Sequence, residues 1–274
     1  MSFFASVGPV VSVDWLSRYR DAPDLVVLDA SLGEVNAVRI PGARIFDFDR
    51  EICDPTSALP HMMPSPQHFE AAVRSLGINR ESTIVVYDTK GIYASPRARW
   101  MFKAMGHDSV AVLDGGLPAW IEAGLAVESF APAAPIGGTF VAFPRRDLFC
   151  DAQTLAAALL DPHYTVLDAR SAGRFFGREP EPRAGLRPGH MPGAQNLPFT
   201  DVLSKGCFLS VPKLSEILVS KALPGQKLIF SCGSGVTACI PALAAELVGY
   251  KEITVYDGSW SEWGLSSTRP VILN

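Results

Sequence analysis

Val26-Val27-Leu28-Asp29-Ala30, ahead of Ile40-Pro41-Gly42-Ala43, is written a second time as Thr165-Val166-Leu167-Asp168-Ala169-Arg170, ahead of Met191-Pro192-Gly193-Ala194. The offset is 139 from Asp29 to Asp168 and 151 from Pro41 to Pro192. Two further landmarks keep the order. Ile84-Val85-Val86-Tyr87 runs into Asp88-Thr89-Lys90-Gly91 as Leu228-Ile229-Phe230-Ser231 runs into Cys232-Gly233-Ser234-Gly235, at an offset of 144. Leu113-Asp114-Gly115-Gly116-Leu117-Pro118-Ala119-Trp120 is echoed by Tyr256-Asp257-Gly258-Ser259-Trp260-Ser261-Glu262-Trp263 at 143. Landmarks repeating in one order mark a duplicated structural unit.

Within each copy, short β-branched runs alternate with helical patterns. Val26–Asp29, Thr83–Asp88 and Ser109–Leu113 read as buried parallel strands, with helices over Pro66–Leu76 and Pro96–Met105. The second copy predicts strands at Thr165–Asp168, Lys227–Ser231 and Ile253–Tyr256, and helices at Ala152–Leu160, Pro212–Val219 and Gly235–Val248. Such alternation defines an α/β fold, each copy a mostly parallel sheet flanked by helices. Pro132, Pro135, Pro144 and Gly137-Gly138 punctuate the stretch between the copies. The expected organisation is a domain over 1–130, a linker over 131–145 and a second domain over 146–274.

Composition narrows the function classes. The 274 residues are 48% hydrophobic and 19% charged with a net charge of −4, which disfavours both disorder and a basic nucleic-acid surface. No stretch of about 18 apolar residues predicts a membrane span, and Met1 to Arg20 has no basic segment ahead of its apolar residues, so no secretory signal is read there. Cys53, Cys150, Cys207, Cys232 and Cys239 are odd in number and scattered, without a Cys-x-x-Cys pair. That pattern predicts neither a disulfide framework nor a metal site, and reduced thiols in a cytoplasmic protein.

The copies differ where chemistry would sit. The 12-residue excess between the offsets 139 and 151 is an insertion in the second copy, placed around Arg174 to Leu186, and Cys232 stands where the first copy has Asp88. A thiol in only one copy implies one working site and one scaffold. Cys232 follows an apolar strand, is followed by Gly-Ser-Gly, and lies at the carboxyl end of its strand, where open α/β sheets bind ligands. Gly233 and Gly235 allow backbone N–H groups to converge on the sulfur, a nest that stabilises an anion and favours the thiolate. Phosphatases that also place a nucleophilic cysteine before a helix need an arginine six residues on to clamp phosphate. Here that residue is Ala238, which disfavours phosphate-ester hydrolysis.

The run Cys232-Gly233-Ser234-Gly235-Val236-Thr237 and Tyr256-Asp257-Gly258-Ser259-Trp260 carry a resemblance, joined by Gly173-Arg174-Phe175, Glu179-Pro180-Glu181-Pro182-Arg183 and Gly189-His190-Met191-Pro192-Gly193-Ala194. Together with the two half-length repeats, they make the chain similar over nearly its whole length to the 3-mercaptopyruvate sulfurtransferases of the two-domain rhodanese superfamily. The resemblance implies two tandem rhodanese-like domains, the second catalytic, and no cofactor or metal. It implies that the Cys232 thiolate takes sulfur from a donor as a persulfide and passes it to cyanide, a small thiol or thioredoxin, in two half-reactions. Gly233, Gly235, Val236 and Thr237 would form the binding loop.

Donor choice follows from charge. Thiosulfate-using relatives carry two basic residues just after the cysteine, whereas Gly233 and Ser234 are uncharged. The resemblance assigns the donor's carboxylate and keto oxygen to Arg174 and Arg183, whose planar forks suit such groups. It also implies a proton relay of Ser234, His61 and Asp49, with Asp47 competing for the third place and His61 brought to the site from the first domain. Two alternatives stand beside this reading: a thiosulfate:cyanide sulfurtransferase, and a persulfide carrier without a small-molecule donor of its own. His190 is expected to fix the turn before Pro192. Asp29 and Asp168 are expected to cap backbone at matched strand ends, and Trp120, Trp260 and Trp263 to lie in the cores. Cys239 is expected to be buried.

Overall fold

The computed structural model describes residues 7–33, 37–129 and 137–273; part of the linker expected over 131–145 lies outside them. Each copy of the repeat builds a five-stranded parallel sheet with the same strand order. In the first the order is Val10–Val11, Val110–Leu113, Thr83–Tyr87, Leu25–Asp29, Arg44–Ile45. In the second it is Phe149–Cys150, Ile253–Tyr256, Lys227–Ser231, Tyr164–Asp168, Gln195–Asn196.

The registers correspond as well: Asp29 pairs with Tyr87 and Asp168 with Ser231. Every residue of Leu25–Asp29 and Thr83–Tyr87 is buried, as strands covered by helices on both faces must be. On one face of the first sheet Leu16, Val27, Val85, Leu113 and Trp120 pack together. Phe46, Phe69, Phe102 and Phe140 form a separate aromatic cluster, with centroid distances of 5.1 to 6.2 Å. Leu155, Val166, Ile229, Trp260 and Trp263 form the matching core of the second sheet.

The chain divides into two compact units. The described residues of Met1–Pro55, Met63–Arg145 and Lys205–Phe208 make the first, and those of Thr56–Met62, Arg146–Ser204 and Leu209–Asn274 the second. A short segment of each half is thus counted with the other half's unit. Among the described residues no helix is long and apolar enough to cross a membrane.

The helix expected over Gly235–Val248 runs instead from Cys239 to Leu247. Gly235 adopts φ +75° and turns the chain out of a helical path, so residues 232–238 curl as a loop first. Helix boundaries elsewhere follow local chemistry: Ser65 caps Pro66–Ser75 by accepting the His68 N–H, and Asp151 caps Ala152–Ala158 by accepting the Thr154 N–H.

Candidate active site

Because the second sheet is parallel, the loops after Asp168, Ser231 and Tyr256 leave its one carboxyl edge. The first begins at Asp168, whose Oδ1 accepts the Arg170 N–H at 3.0 Å, as Asp29 Oδ1 accepts the Ser31 N–H at 3.0 Å in the first copy. The expected capping role is therefore present in both. In the second copy Asp168 also holds the buried Arg170 guanidinium, Nη2 to Oδ2 at 2.7 Å, and that guanidinium lies 4.0 Å over the Trp260 ring.

Glu181 extends this chain of charge. Its side chain, 2% exposed, accepts Arg170 Nη1 at 2.7 Å on one oxygen and Arg174 Nη2 at 2.5 Å on the other. Arg174 follows the Ser171 cap on a single helical turn, Ala172–Phe175, and reaches the Cys232 loop. A Cβ built on Gly233 would stand 3.1 Å from Arg174 Nη2 and 3.7 Å from Arg183 Nη1. Glycine at 233 is what leaves both cations beside the residue following Cys232.

The loop's remaining groups are closely held. Cys232 is 1% exposed and Ser234 is buried. The Ser234 hydroxyl lies 3.0 Å from His61 Nδ1 and accepts from Arg183 Nη2 at 3.4 Å. His61 reaches it from Thr56–Met62, the segment counted with the second unit, and sits at φ +60°, a left-handed conformation unusual for a side-chain-bearing residue. The structure therefore gathers Cys232, Ser234, His61, Arg174 and Arg183 in one unit.

Asp49 lies in the first unit, in a turn where Asp47 Oδ1 accepts the N–H groups of Asp49 and Arg50 at 3.1 and 3.0 Å. Asp47 thereby holds this turn through one of its two oxygens. Gly235 takes its positive φ within the loop, its carbonyl accepts the buried Cys239 thiol at 3.4 Å, Val236 is buried and Thr237 half-buried.

The other thiols have different surroundings. Burial pushes Cys150 up to about 12, and burial with nearby carboxylates pushes Cys53 and Cys207 upward. All five cysteines are free, and among the described residues no three His, Cys, Asp or Glu side chains gather as a metal site. His190 does more than fix a turn: its ring stacks on Phe175 at 3.9 Å and its Nδ1 lies 3.0 Å from the Phe175 carbonyl oxygen.

Sequence reasoning did not single out Glu181 and Arg170, which hold Arg174 in the charge network, or Ser259 and Ser261, whose hydroxyls meet the Cys232 N–H and the Gly233 carbonyl. The available signals were the position of Glu181 between the two arginines and the replacement of Gly116 and Pro118 by serine in the second copy.

A duplicated parallel α/β unit, with a cysteine loop beside two arginines in its second copy, defines a tandem-domain protein of the α/β class with a candidate thiol site in that copy. The rhodanese-like domain model matches residues 12–123 and 151–266, and the chain belongs to that family. It is 36% identical to 3-mercaptopyruvate sulfurtransferase of Escherichia coli (strain K12), over 95% of this chain and 96% of the relative. It is 38% identical to thiosulfate/3-mercaptopyruvate sulfurtransferase 1, mitochondrial, of Arabidopsis thaliana, over 96% of this chain and 78% of the relative. The crystal structure of SseA from Escherichia coli superposes with a TM-score of 0.83 at 33% identity, covering 93% of this chain and all of that one.

Proposed function

We propose that the protein is a 3-mercaptopyruvate sulfurtransferase with Cys232 as its sulfur carrier. The observation that carries this reading is the convergence of Arg174 and Arg183 on Gly233, the residue after the thiol. A monoanionic α-keto acid needs one cation for its carboxylate and a donor for its keto oxygen, and two planar guanidinium groups supply both. The relatives' names carry both mercaptopyruvate and thiosulfate, so charge placement rather than kinship supports the choice of donor.

The Cys232 thiolate attacks the donor's thiol sulfur as the sulfur–carbon bond breaks. Its electron pair leaves on carbon, giving the enolate of pyruvate and a cysteine persulfide. The enolate takes up the proton that the persulfide sheds. Ser234 and His61 carry that proton, and the family pattern gives Asp49 as the third member of the relay, with Asp47 competing for the place. Cyanide, a small thiol or thioredoxin then attacks the terminal sulfur and returns Cys232 to the thiolate. Two half-reactions imply ping-pong kinetics. The five free thiols fit a reducing compartment, and we assign the protein to the cytoplasm.

Thiocyanate formation is the test, with mercaptopyruvate and thiosulfate compared at fixed cyanide and pyruvate release checked for the first donor. Faster turnover of mercaptopyruvate is expected. Faster turnover of thiosulfate would reverse the donor assignment, and turnover retained in Cys232→Ser would remove the thiol from the mechanism. Intact mass after mercaptopyruvate alone should show one added sulfur; an unmodified chain would instead indicate a carrier loaded by another protein.

A further inference from the structure

Ser259 holds a backbone conformation that its side chain disfavours. It is fully buried at φ +47°, where a Cβ is crowded by the chain's own carbonyls. At the matched place in the first copy Gly116 takes φ +53°, and a Cβ added there would stand 2.4 Å from the Asp88 carbonyl oxygen. Glycine is thus the residue that makes this turn without strain. The second copy carries serine instead, and its hydroxyl works both ways: it donates to the Tyr256 carbonyl at 2.8 Å and accepts the Cys232 N–H at 3.2 Å.

The next residues continue the grip. The Trp260 N–H donates to the Cys232 carbonyl at 2.9 Å, and the Ser261 N–H and hydroxyl both donate to the Gly233 carbonyl, at 2.8 and 2.7 Å. The first copy keeps only the middle contact, Leu117 N–H to Asp88 carbonyl at 3.0 Å. Gly116 has no hydroxyl, and Pro118, at the place of Ser261, has neither hydroxyl nor N–H. Both serine contacts therefore occur only in the copy that carries the thiol.

Their effect on the loop follows from peptide geometry. In a trans peptide the carbonyl and the following N–H point in opposite directions, and no described peptide is cis. With the carbonyls of Cys232 and Gly233 drawn toward Ser259–Trp263, the N–H groups of Gly233 and Ser234 are turned away from that helix. These are the donors available to a charge developing on sulfur.

We propose that Ser259 and Ser261 are positioning residues for sulfur transfer: the strained, buried Ser259 hydroxyl holds the Cys232 N–H at the root of the loop while Ser261, with the Trp260 N–H, holds the carbonyls of Gly233 and Cys232, so that the N–H groups of Gly233 and Ser234 face the reacting sulfur. The proposal rests on Cys232 being the sulfur carrier. It accounts for a serine where glycine would satisfy the fold.

The experiment compares Ser259→Gly, Ser261→Ala and Cys232→Ser. Steady-state rates with mercaptopyruvate are expressed per titrated Cys232 thiol, with thermal melting alongside. Ser259→Gly removes the hydroxyl and the strain together, so Tm should hold or rise. Because Arg174 and Arg183 are untouched, KM should stay within about twofold while kcat falls about tenfold or more, the response to a misplaced reacting group. Ser261→Ala keeps its N–H bond to Gly233 and should lower kcat less. If kcat per thiol stays within about twofold of wild type in both variants, or falls only as the folded fraction falls, Ser259 is a structural residue and the proposal is overturned. Turnover retained in Cys232→Ser would instead sink the reading on which it rests.

Discussion

Asp88 and Cys232 occupy the same place in the two copies of the fold, each directly after the central strand of its sheet, each with its carbonyl held by the N–H of the matched residue, Leu117 or Trp260. In the first copy that place holds an anion. Asp88 Oδ2 accepts the N–H groups of Tyr93, Ala94 and Ser95 at 2.9 Å and the Ser95 hydroxyl at 2.7 Å, while Oδ1 accepts the Lys90 N–H at 2.9 Å. The first loop therefore displays how this backbone turn collects donors around a negative charge, the property a thiolate and a persulfide require of its counterpart.

Replacing Asp88 with alanine should strand these buried donors and destabilise the first unit by about 2–4 kcal/mol, since several charge-assisted hydrogen bonds are lost together. Chemical denaturation should show the loss as a lower midpoint. Sulfur transfer per folded molecule should be unchanged, because Cys232 and its arginines belong to the other unit; a selective loss of turnover would contradict the division of labour.

Thiol labelling should separate the cysteines by pH. A raised thiol pKa keeps Cys53, Cys150 and Cys207 protonated and slow to alkylate at pH 7, while Cys239 is shielded by full burial. Peptide mapping after brief iodoacetamide treatment at pH 7 should find these four cysteines unlabelled. As the pH rises, Cys53 and Cys207 should label first, and Cys150, pushed up to about 12, should remain unlabelled well above pH 9. Prompt labelling of Cys150 at neutral pH would contradict the assignment.

The duplication and both sheets were legible because a buried parallel strand must be apolar throughout, so Thr83–Tyr87 and Lys227–Ser231 stand out as runs. The edge strands Val10–Val11 and Phe149–Cys150 were not, since two residues carry no period. The loop cysteine could be read from residue type and its place after a strand, whereas the two arginines stood out only through the family resemblance and the insertion that carries them. Glu181 could not be told from Glu179: both are acids in one Pro-rich run, and only folding buries the first between Arg170 and Arg174 while the second pairs with the Ser171 hydroxyl. Ser259 looked like part of a turn because its φ and its bond to Cys232 arise from chain segments far apart in sequence.

His61 should act on the proton and leave donor binding alone. Asparagine tolerates a left-handed backbone, so His61→Asn should fold with φ near +60° while removing the imidazole from Ser234. A loss of about 10²-fold in kcat with KM nearly unchanged is expected for a lost proton carrier. A rise in KM alone would make His61 a donor-binding residue and leave the relay without its base.

The room at Gly233 should control which donor is used. Gly233→Arg would press a side chain into the space 3.1 Å from Arg174 Nη2 and add a cation beside the thiol. The KM for mercaptopyruvate should rise and turnover of dianionic thiosulfate should improve relative to wild type, so the donor ratio is the quantity to measure. An unchanged ratio would mean that the charge beside Cys232 does not select the donor.

Arg174 is aimed through a chain of alternating charge, Asp168 to Arg170 to Glu181 to Arg174, whose first three side chains are buried and in which Glu181 is the group touching both arginines. Removing one member of a buried ionic network leaves the others uncompensated, so Glu181→Gln should destabilise the second unit by about 3–5 kcal/mol. Glutamine keeps the shape but offers one carbonyl oxygen where the carboxylate offered two, and only one arginine can then keep its acceptor. Arg170, closed in by Asp168 and the Trp260 ring, retains its place; Arg174, reaching out to the loop, loses its anchor. The expected kinetic signature is a KM for mercaptopyruvate raised about tenfold with a smaller change in kcat, as for a weakened carboxylate contact. Arg174→Lys should give a similar KM without the large loss of stability, because its ammonium can still meet Glu181 but no longer presents a planar fork. If Glu181→Gln lowers Tm and leaves KM unchanged, the ionic chain serves the fold alone and Arg174 is aimed by the Ser171 cap and its helical turn.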